Sequence, residues 1–298
     1  MAWLRLIFET HKAGAEELSE ALTEMGAMAV SFEDCEDEPV LEPAPGQMPL
    51  WSRTQVTGLF EAGRSMDDVV SHLRARGAPL PPYRTEVLRD QDWVRVWMER
   101  FRPMNFGRRL WIVPRHQAPP NPSAVNLRLD PGLAFGTGTH PTTALCLQWL
   151  DGFDGRDKNM IDYGCGSGVL GIAGLLLGAE YVQGVDMDAQ AWAATLENAR
   201  TNGVQDRLQV GGPDMALAAA DVVLANILAG PLGELAPRLA RLTVPGGHIV
   251  LSGILENQAA ALMLRYAAWF DLDAPVVREQ WVRIRGIRKC EAEDTHRQ

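Results

Sequence analysis

The chain has 298 residues, of which 46% are apolar and 22% charged, and a formal net charge of −10. That length allows two domains with a sizeable core, and the acidic balance excludes a nucleic-acid glove that works by neutralising phosphates. No apolar run approaches a membrane span and the first residues lack the plan of a secretory signal; Cys35, Cys146, Cys165 and Cys290 are scattered with no C-x-x-C pair, as in a cytoplasmic protein with reduced thiols and no zinc.

In chain order, residues 3–8 predict a short strand. Residues 15–25 predict an amphipathic helix with Leu18, Ala21, Leu22 and Met25 on one side, stopped by Gly26. A second strand spans 29–32, and a proline-rich loop (Pro39, Pro43, Pro45, Pro49) follows. A third strand at 54–60, a helix at 66–76 and a fourth strand at 83–88 complete the order βαββαβ. That order predicts a small ferredoxin-like α+β layer. From Met1 to Pro43 eleven acids face only Arg5 and Lys12, a local balance of −9. The acids sit mainly at Glu16, Glu17, Glu20 and Glu24 and in the run Glu33 to Glu38. Two readings stand: a solvated face, or a docking surface for a strongly basic protein.

Residues 92–101 carry a helical pattern with Trp93, Val96, Trp97 and Phe101, expected to connect the two domains. Residues 110–113 and 125–129 predict a small sheet attached to the second domain. The loop from Asp130 to Thr143, rich in glycine and threonine, runs into an apolar helix with Pro141 in its first turn. Such a helix start can offer free N–H groups to an anionic group, or it can be a plain capped loop.

The organising stretch is Met160-Ile-Asp-Tyr-Gly-Cys-Gly-Ser-Gly-Val-Leu170, which reads as strand, glycine turn, helix. A dinucleotide fingerprint, G-x-G-x-x-G, would need its third glycine at Val169; here the order is G-x-G-x-G, with Gly164, Gly166 and Gly168. Asp162, two residues before the first glycine, would repel a pyrophosphate and attract an ammonium or sulfonium. S-adenosylmethionine carries both and has no phosphate. The next strand ends in Asp186, about 20 residues past the glycines, where an acid can accept from both ribose hydroxyls. Asp188 falls in the turn and is expected to cap the helix that begins at Ala189. A glycine turn with no ligand is the alternative reading.

Alternation then continues: helix 189–201, strands 208–210 and 221–226, helix 231–242, strand 248–252, helix 256–270 and strands 275–279 and 281–285. It predicts a mostly parallel sheet covered on both faces, with ligands at the carboxyl ends of its strands. Asp162, Asp186 and Asn226 all occupy that edge.

The residues Phe135 to Thr143 (FGTGTHPTT), Asp162 to Gly168 (DYGCGSG), Gly184 to Asp188 (GVDMD) and Asn226 to Pro231 (NILAGP) together resemble the bacterial PrmA methyltransferase family over nearly the whole chain. The resemblance implies an α/β, Rossmann-like class I S-adenosylmethionine-dependent methyltransferase domain at residues 108–298. It also implies a ferredoxin-like substrate-recognition domain at 1–88 and a helical connector at 89–107. The implied activity is N-methylation of lysine side-chain and N-terminal amines of a basic substrate, the large-subunit ribosomal protein L-eleven, by a monomer without direct nucleic-acid contact. Carried onto this chain, Thr143, Gly164, Asp186 and Asn226 are expected to contact S-adenosylmethionine, with Phe135 and Gly166 close by. A nucleic-acid methyltransferase and a non-catalytic adenosine-binding regulator are the competing classes. The first is disfavoured by the acidic charge and by Ile227-Leu228-Ala229 after Asn226, which lacks the aromatic of enzymes acting on planar bases.

Overall fold

The computed structural model describes residues 3–36, 50–76, 80–88, 101–130 and 138–290. The chain divides into two compact units, Met1–Trp93 and Val94–Gln298. The proline-rich loop, the end of the acidic run, residues 92–100 of the expected connecting helix and Phe135 lie outside the described residues.

The front unit runs β1 (Trp3–His11), α1 (Lys12–Glu24), β2 (Ala29–Asp34), β3 (Arg53–Glu61), α2 (Met66–Ala75), β4 (Tyr83–Leu88). Its four strands pair in the order β2-β3-β1-β4, all antiparallel. Alternation in β1 sends Leu6 and Phe8 to the helices, where they pack with Leu18, Leu22, Val56, Phe60, Val69 and Leu73. Each such side chain contributes about 1.5–3 kcal/mol by leaving water. Helix α2 starts where Ser65 accepts a hydrogen bond from the Asp68 N–H at 3.2 Å. Two groups of acids stand out in this unit. Glu9, Glu33, Glu36 and Glu86 are interleaved with Arg5, Arg53 and Arg84 in ion pairs of 3.0–3.6 Å. Glu16, Glu17 and Glu20 of α1 are exposed and have no cationic partner among the described residues.

The rear unit begins earlier than the sequence pattern implies. Met104–Asn105 forms β5, which pairs with β6 (Leu110–Val113), itself parallel to β7 (Val125–Arg128). Phe101 and Phe106 are buried in the rear core, so the end of the expected connector belongs to this unit. The anchor is Asp151, whose carboxylate accepts the backbone N–H groups of Arg108, Arg109 and Leu110 at 2.7–2.8 Å.

The main sheet follows: α3 (Pro141–Gly152), β8 (Asn159–Tyr163), α4 (Val169–Leu176), β9 (Tyr181–Val185), α5 (Ala189–Thr201), β10 (Leu208–Gly211), β11 (Ala220–Asn226), α6 (Ala229–Leu242), β12 (Thr243–Leu255), α7 (Glu256–Tyr266), β13 (Phe270–Leu272), β14 (Val276–Arg278) and β15 (Trp281–Arg288). Strands are ordered β10-β9-β8-β11-β12-β15-β13, with β14 beside β15. The first five are parallel, β15 runs antiparallel to β12, and β13 runs antiparallel to β15, so the sheet is mixed. Met160, Val222 and Val250 pack on the α3–α5 side, while Ile161, Tyr163, Val223 and Leu251 pack on the α6–α7 side. Both faces are covered, which is why these strands read as continuous apolar runs.

Two elements differ from the sequence pattern. The helix expected to reach residue 270 stops at Tyr266, and Phe270 pairs with Arg288 in β13 instead. Strand β12 runs on to Leu255 through a register shift between Leu251 and Ile254, where Gly253 takes φ +84°. Among the described residues, no helix is long and apolar enough to cross a membrane.

Candidate functional site

Strand β8 ends at the sheet's carboxyl edge, and the chain must turn sharply to enter α4. Gly164, Gly166 and Gly168 all adopt positive φ, at +80°, +53° and +78°, a backbone region that strongly favours glycine. At Gly164 a Cβ would stand 2.2 Å from Ile227 Cγ2, so any side chain there would collide with the β11–α6 loop. The turn is pinned to β9 by the N–H groups of Gly164 and Cys165, which donate to the Val185 carbonyl at 2.7 and 3.0 Å.

Asp186 follows β9 directly. One carboxylate oxygen accepts the Gly166 N–H at 2.9 Å and the other the Asp188 N–H at 3.0 Å. Its carbonyl accepts from the Trp192 indole at 2.9 Å. Both carboxylate oxygens keep a second lone pair for a ligand's vicinal hydroxyls. Asp188 caps α5 through the Gln190 N–H at 2.8 Å, the role its turn position predicts.

Asn226 closes β11 beside Ser252 of β12. Its amide nitrogen donates to Thr143 Oγ1 at 3.2 Å, joining the start of α3 to the edge of the sheet. Thr143, Gly164, Gly166, Asp186 and Asn226 line one cavity of about 570 Å3, the size of a cofactor site. So the structure brings these five predicted residues together, while Phe135 is outside the described residues.

Asp162 is placed differently. It does not line the cavity; it is buried under the glycine turn on the α4 side, where it accepts the Gly171 N–H at 2.9 Å. Alternation explains this, because Ile161 and Tyr163 point to the opposite face. Its second oxygen is buried without a partner among the described residues. Burial, reinforced by the nearby Asp186 charge and opposed by the Gly171 hydrogen bond, pushes its pKa up to about 7. A carboxylate raised in the folded state favours folding below its unfolded pKa of about 3.9, and that contribution is lost as pH rises through the folded value near 7. Asp162→Asn removes the titration. Its melting temperature relative to the parent is expected to rise between pH 5 and pH 8; a constant difference across that range would contradict the assignment.

At the N-terminus of α3 a side-chain cap is present, as the capped-loop reading allows. His140 Nδ1 accepts the Thr142 N–H at 3.4 Å and lies 2.7 Å from Thr142 Oγ1. One donor expected for a ligand carboxylate is therefore taken by an N-cap. Burial holds the His140 pKa below the usual histidine value, partly opposed by Glu279, which favours the neutral ring that can accept.

Several cavity residues escaped the sequence reading. Tyr163 and Met187, which stand within the quoted motifs, form walls, as do Pro213, Leu235 and Arg238. The available signal was the spacing of Pro231, Leu235 and Arg238, a single helical stripe starting directly after Asn226.

The α/β fold, with its mixed sheet and its glycine-turned edge, is similar to class I S-adenosylmethionine-dependent methyltransferases. Residues 2–289 match the family model "Ribosomal protein L11 methyltransferase (PrmA)". Proteins named ribosomal protein L11 methyltransferase from Marinobacter nauticus and Pseudomonas aeruginosa are each 52% identical, over 297 and 294 residues. The alignments cover 97% and 98% of this chain and 99% and 100% of the relatives. A crystal structure of ribosomal protein L11 methylase from Lactobacillus delbrueckii subsp. bulgaricus is 31% identical with a TM-score of 0.57, covering 64% of this chain and all of that one. The chain belongs to the ribosomal protein L11 methyltransferase (PrmA) family.

Proposed function

We propose that this protein transfers methyl groups from S-adenosylmethionine to amino nitrogens of ribosomal protein L11, at lysine side chains and the N-terminal α-amine. The observation that carries this reading is the joint cavity: an acid fixed by two backbone N–H groups, a glycine turn, and an amide at the next strand end. The residues fit the cofactor. Asp186 has lone pairs for two ribose hydroxyls, and the glycine turn leaves no side chain between backbone and ligand.

S-adenosylmethionine supplies an electrophilic methyl on a sulfonium. The chain's own residues must deliver a neutral amine to it. A free lysine, with a pKa of about 10.4, is protonated at neutral pH. Passage between apolar Ile227, Leu228 and Pro231 at the cavity desolvates the ammonium and lowers that value. With its amide nitrogen engaged by Thr143, Asn226 turns its oxygen to accept from the incoming amine. No aromatic follows Asn226 to stack a planar base, which favours an aliphatic amine. Positioning of the two reactants supplies most of the acceleration.

The βαββαβ order and β2-β3-β1-β4 sheet of the front unit support reading it as a ferredoxin-like recognition domain, residues 1–88, tethered to the transfer domain by residues 89 onward. Its unpaired acids Glu16, Glu17 and Glu20 suit a basic ribosomal protein. Affinity for that substrate is expected to fall as salt rises from 50 to 500 mM, and less steeply when all three are changed to Gln. An affinity indifferent to salt would exclude electrostatic docking.

The activity is tested with tritiated methyl from S-adenosylmethionine, offered in parallel to ribosomal proteins and to ribosomal RNA. Label on L11 alone is expected. Label on RNA would establish a nucleic-acid methyltransferase, and cofactor binding without label on either would establish a regulator.

A further inference from the structure

The cavity is lined by more residues than the predicted contacts with the cofactor. Asn226, Thr143 and the glycine turn define the transfer end, and Asp186 stands at the ribose position. The same cavity is also walled by Tyr163, Met187, Pro213, Glu234, Leu235 and Arg238, and the Asp186 N–H donates to the Gly211 carbonyl at 3.1 Å, two residues before Pro213. Apart from Glu234 and the Arg238 guanidinium, these walls are apolar or aromatic. If the ribose sits at Asp186 and the amino-acid arm runs toward Asn226, the base falls against the walls near Pro213.

Arg238 is held there from two sides. Its guanidinium carbon lies 5.6 Å from the centre of the Tyr163 ring, within reach of a cation–π contact. One terminal nitrogen donates to the Pro213 carbonyl at 2.5 Å. These contacts tie α6 to the end of β8 and to the loop between β10 and β11, three segments far apart in sequence. Only one of the five guanidinium N–H donors is used by Pro213, and the others have no partner among the described residues. Arginine has no acceptor, so this wall offers donors to a ligand rich in ring-nitrogen acceptors, which describes a purine.

We propose that Arg238 is the base-binding residue of this site: clamped by Tyr163 and Pro213, it donates to ring nitrogens of the adenine. The proposal rests on the cofactor reading above and adds to it a residue that sets base affinity. Because a guanidinium fork is planar and fixed, lysine is not an equivalent replacement.

The test is calorimetric binding of two ligands, S-adenosylhomocysteine and methylthioadenosine, to the full chain and to Arg238→Met and Arg238→Lys. Methylthioadenosine keeps the base and ribose but lacks the amino-acid arm. A loss of base contacts is expected to weaken both ligands by the same factor, about 10- to 100-fold in Arg238→Met, with Arg238→Lys in between. Binding of both ligands by Arg238→Met as tightly as by the parent would overturn the role of Arg238 while leaving the cofactor reading intact. Loss confined to S-adenosylhomocysteine would place Arg238 at the amino-acid end and also overturn it. A parent chain that binds neither ligand would instead remove the cofactor reading. If Arg238→Met melts before it can be titrated, the lysine variant carries the same comparison, since it keeps the charge and the stem.

Discussion

Replacing Asn226 with alanine is expected to lower kcat about 10²- to 10³-fold, the usual cost of removing one hydrogen-bonding group from a transition-state site. The dissociation constant of S-adenosylmethionine should rise much less. Asn226 stands at the carboxyl end of β11 in the cavity, and its contact with the rest of the site is the bond to Thr143. Alanine leaves the strand intact but removes the oxygen that orients the amine. It also frees Thr143 Oγ1, which lies on a neighbouring element and can move. Measured together, kcat and cofactor affinity separate the two roles. Undiminished turnover in Asn226→Ala would take this residue out of the chemistry.

Gly253→Ala is expected to reduce kcat/KM for the protein substrate by 10²-fold or more, although residue 253 does not line the cavity. Its φ of +84° costs a non-glycine residue about 1–2 kcal/mol. The collision matters more: a Cβ at this position would lie 2.3 Å from the Ile227 carbonyl oxygen and 2.7 Å from its carbon. These are backbone atoms, which cannot swing aside as a side-chain tip can. Ile227 is pressed from the other side by Gly164, where an added Cβ would meet Ile227 Cγ2 at 2.2 Å. The segment that carries Asn226 thus passes between two positive-φ glycines. Moving it by about 1 Å spoils reactive geometry by roughly that factor. S-adenosylhomocysteine affinity and the melting curve of Gly253→Ala show whether the site survives. Retained cofactor binding with lost transfer is the expected pattern, and full transfer would refute the positioning role.

What was legible in the sequence follows from what is local. The glycine turn, Asp186, the Asp188 cap and the α/β alternation depend on spacing within about 25 residues, and the structure reproduces them. Elements set by distant pairing were not legible. Strand β13 has three residues and exists because β15 lies beside it; in isolation, Trp269 and Phe270 extend the apolar stripe of the preceding helix. Gly253 reads as the end of a strand, yet it is a bulge within a longer one. The side of the sheet that Asp162 faces depends on strand phase. Position at the strand end suggested the cavity, and alternation put the carboxyl beneath the turn. Nothing in the sequence singles out Arg238, because its contacts with Tyr163 and Pro213 come from segments far away in the chain.

The central claim is that the carboxyl edge of the rear sheet receives a sulfonium nucleoside. Isothermal titration of the whole chain with S-adenosylmethionine and, separately, with nicotinamide adenine dinucleotide tests it most directly. Saturable one-to-one binding of the first and no heat from the second is the expected result. Uptake of the dinucleotide with indifference to the sulfonium compound would contradict the account.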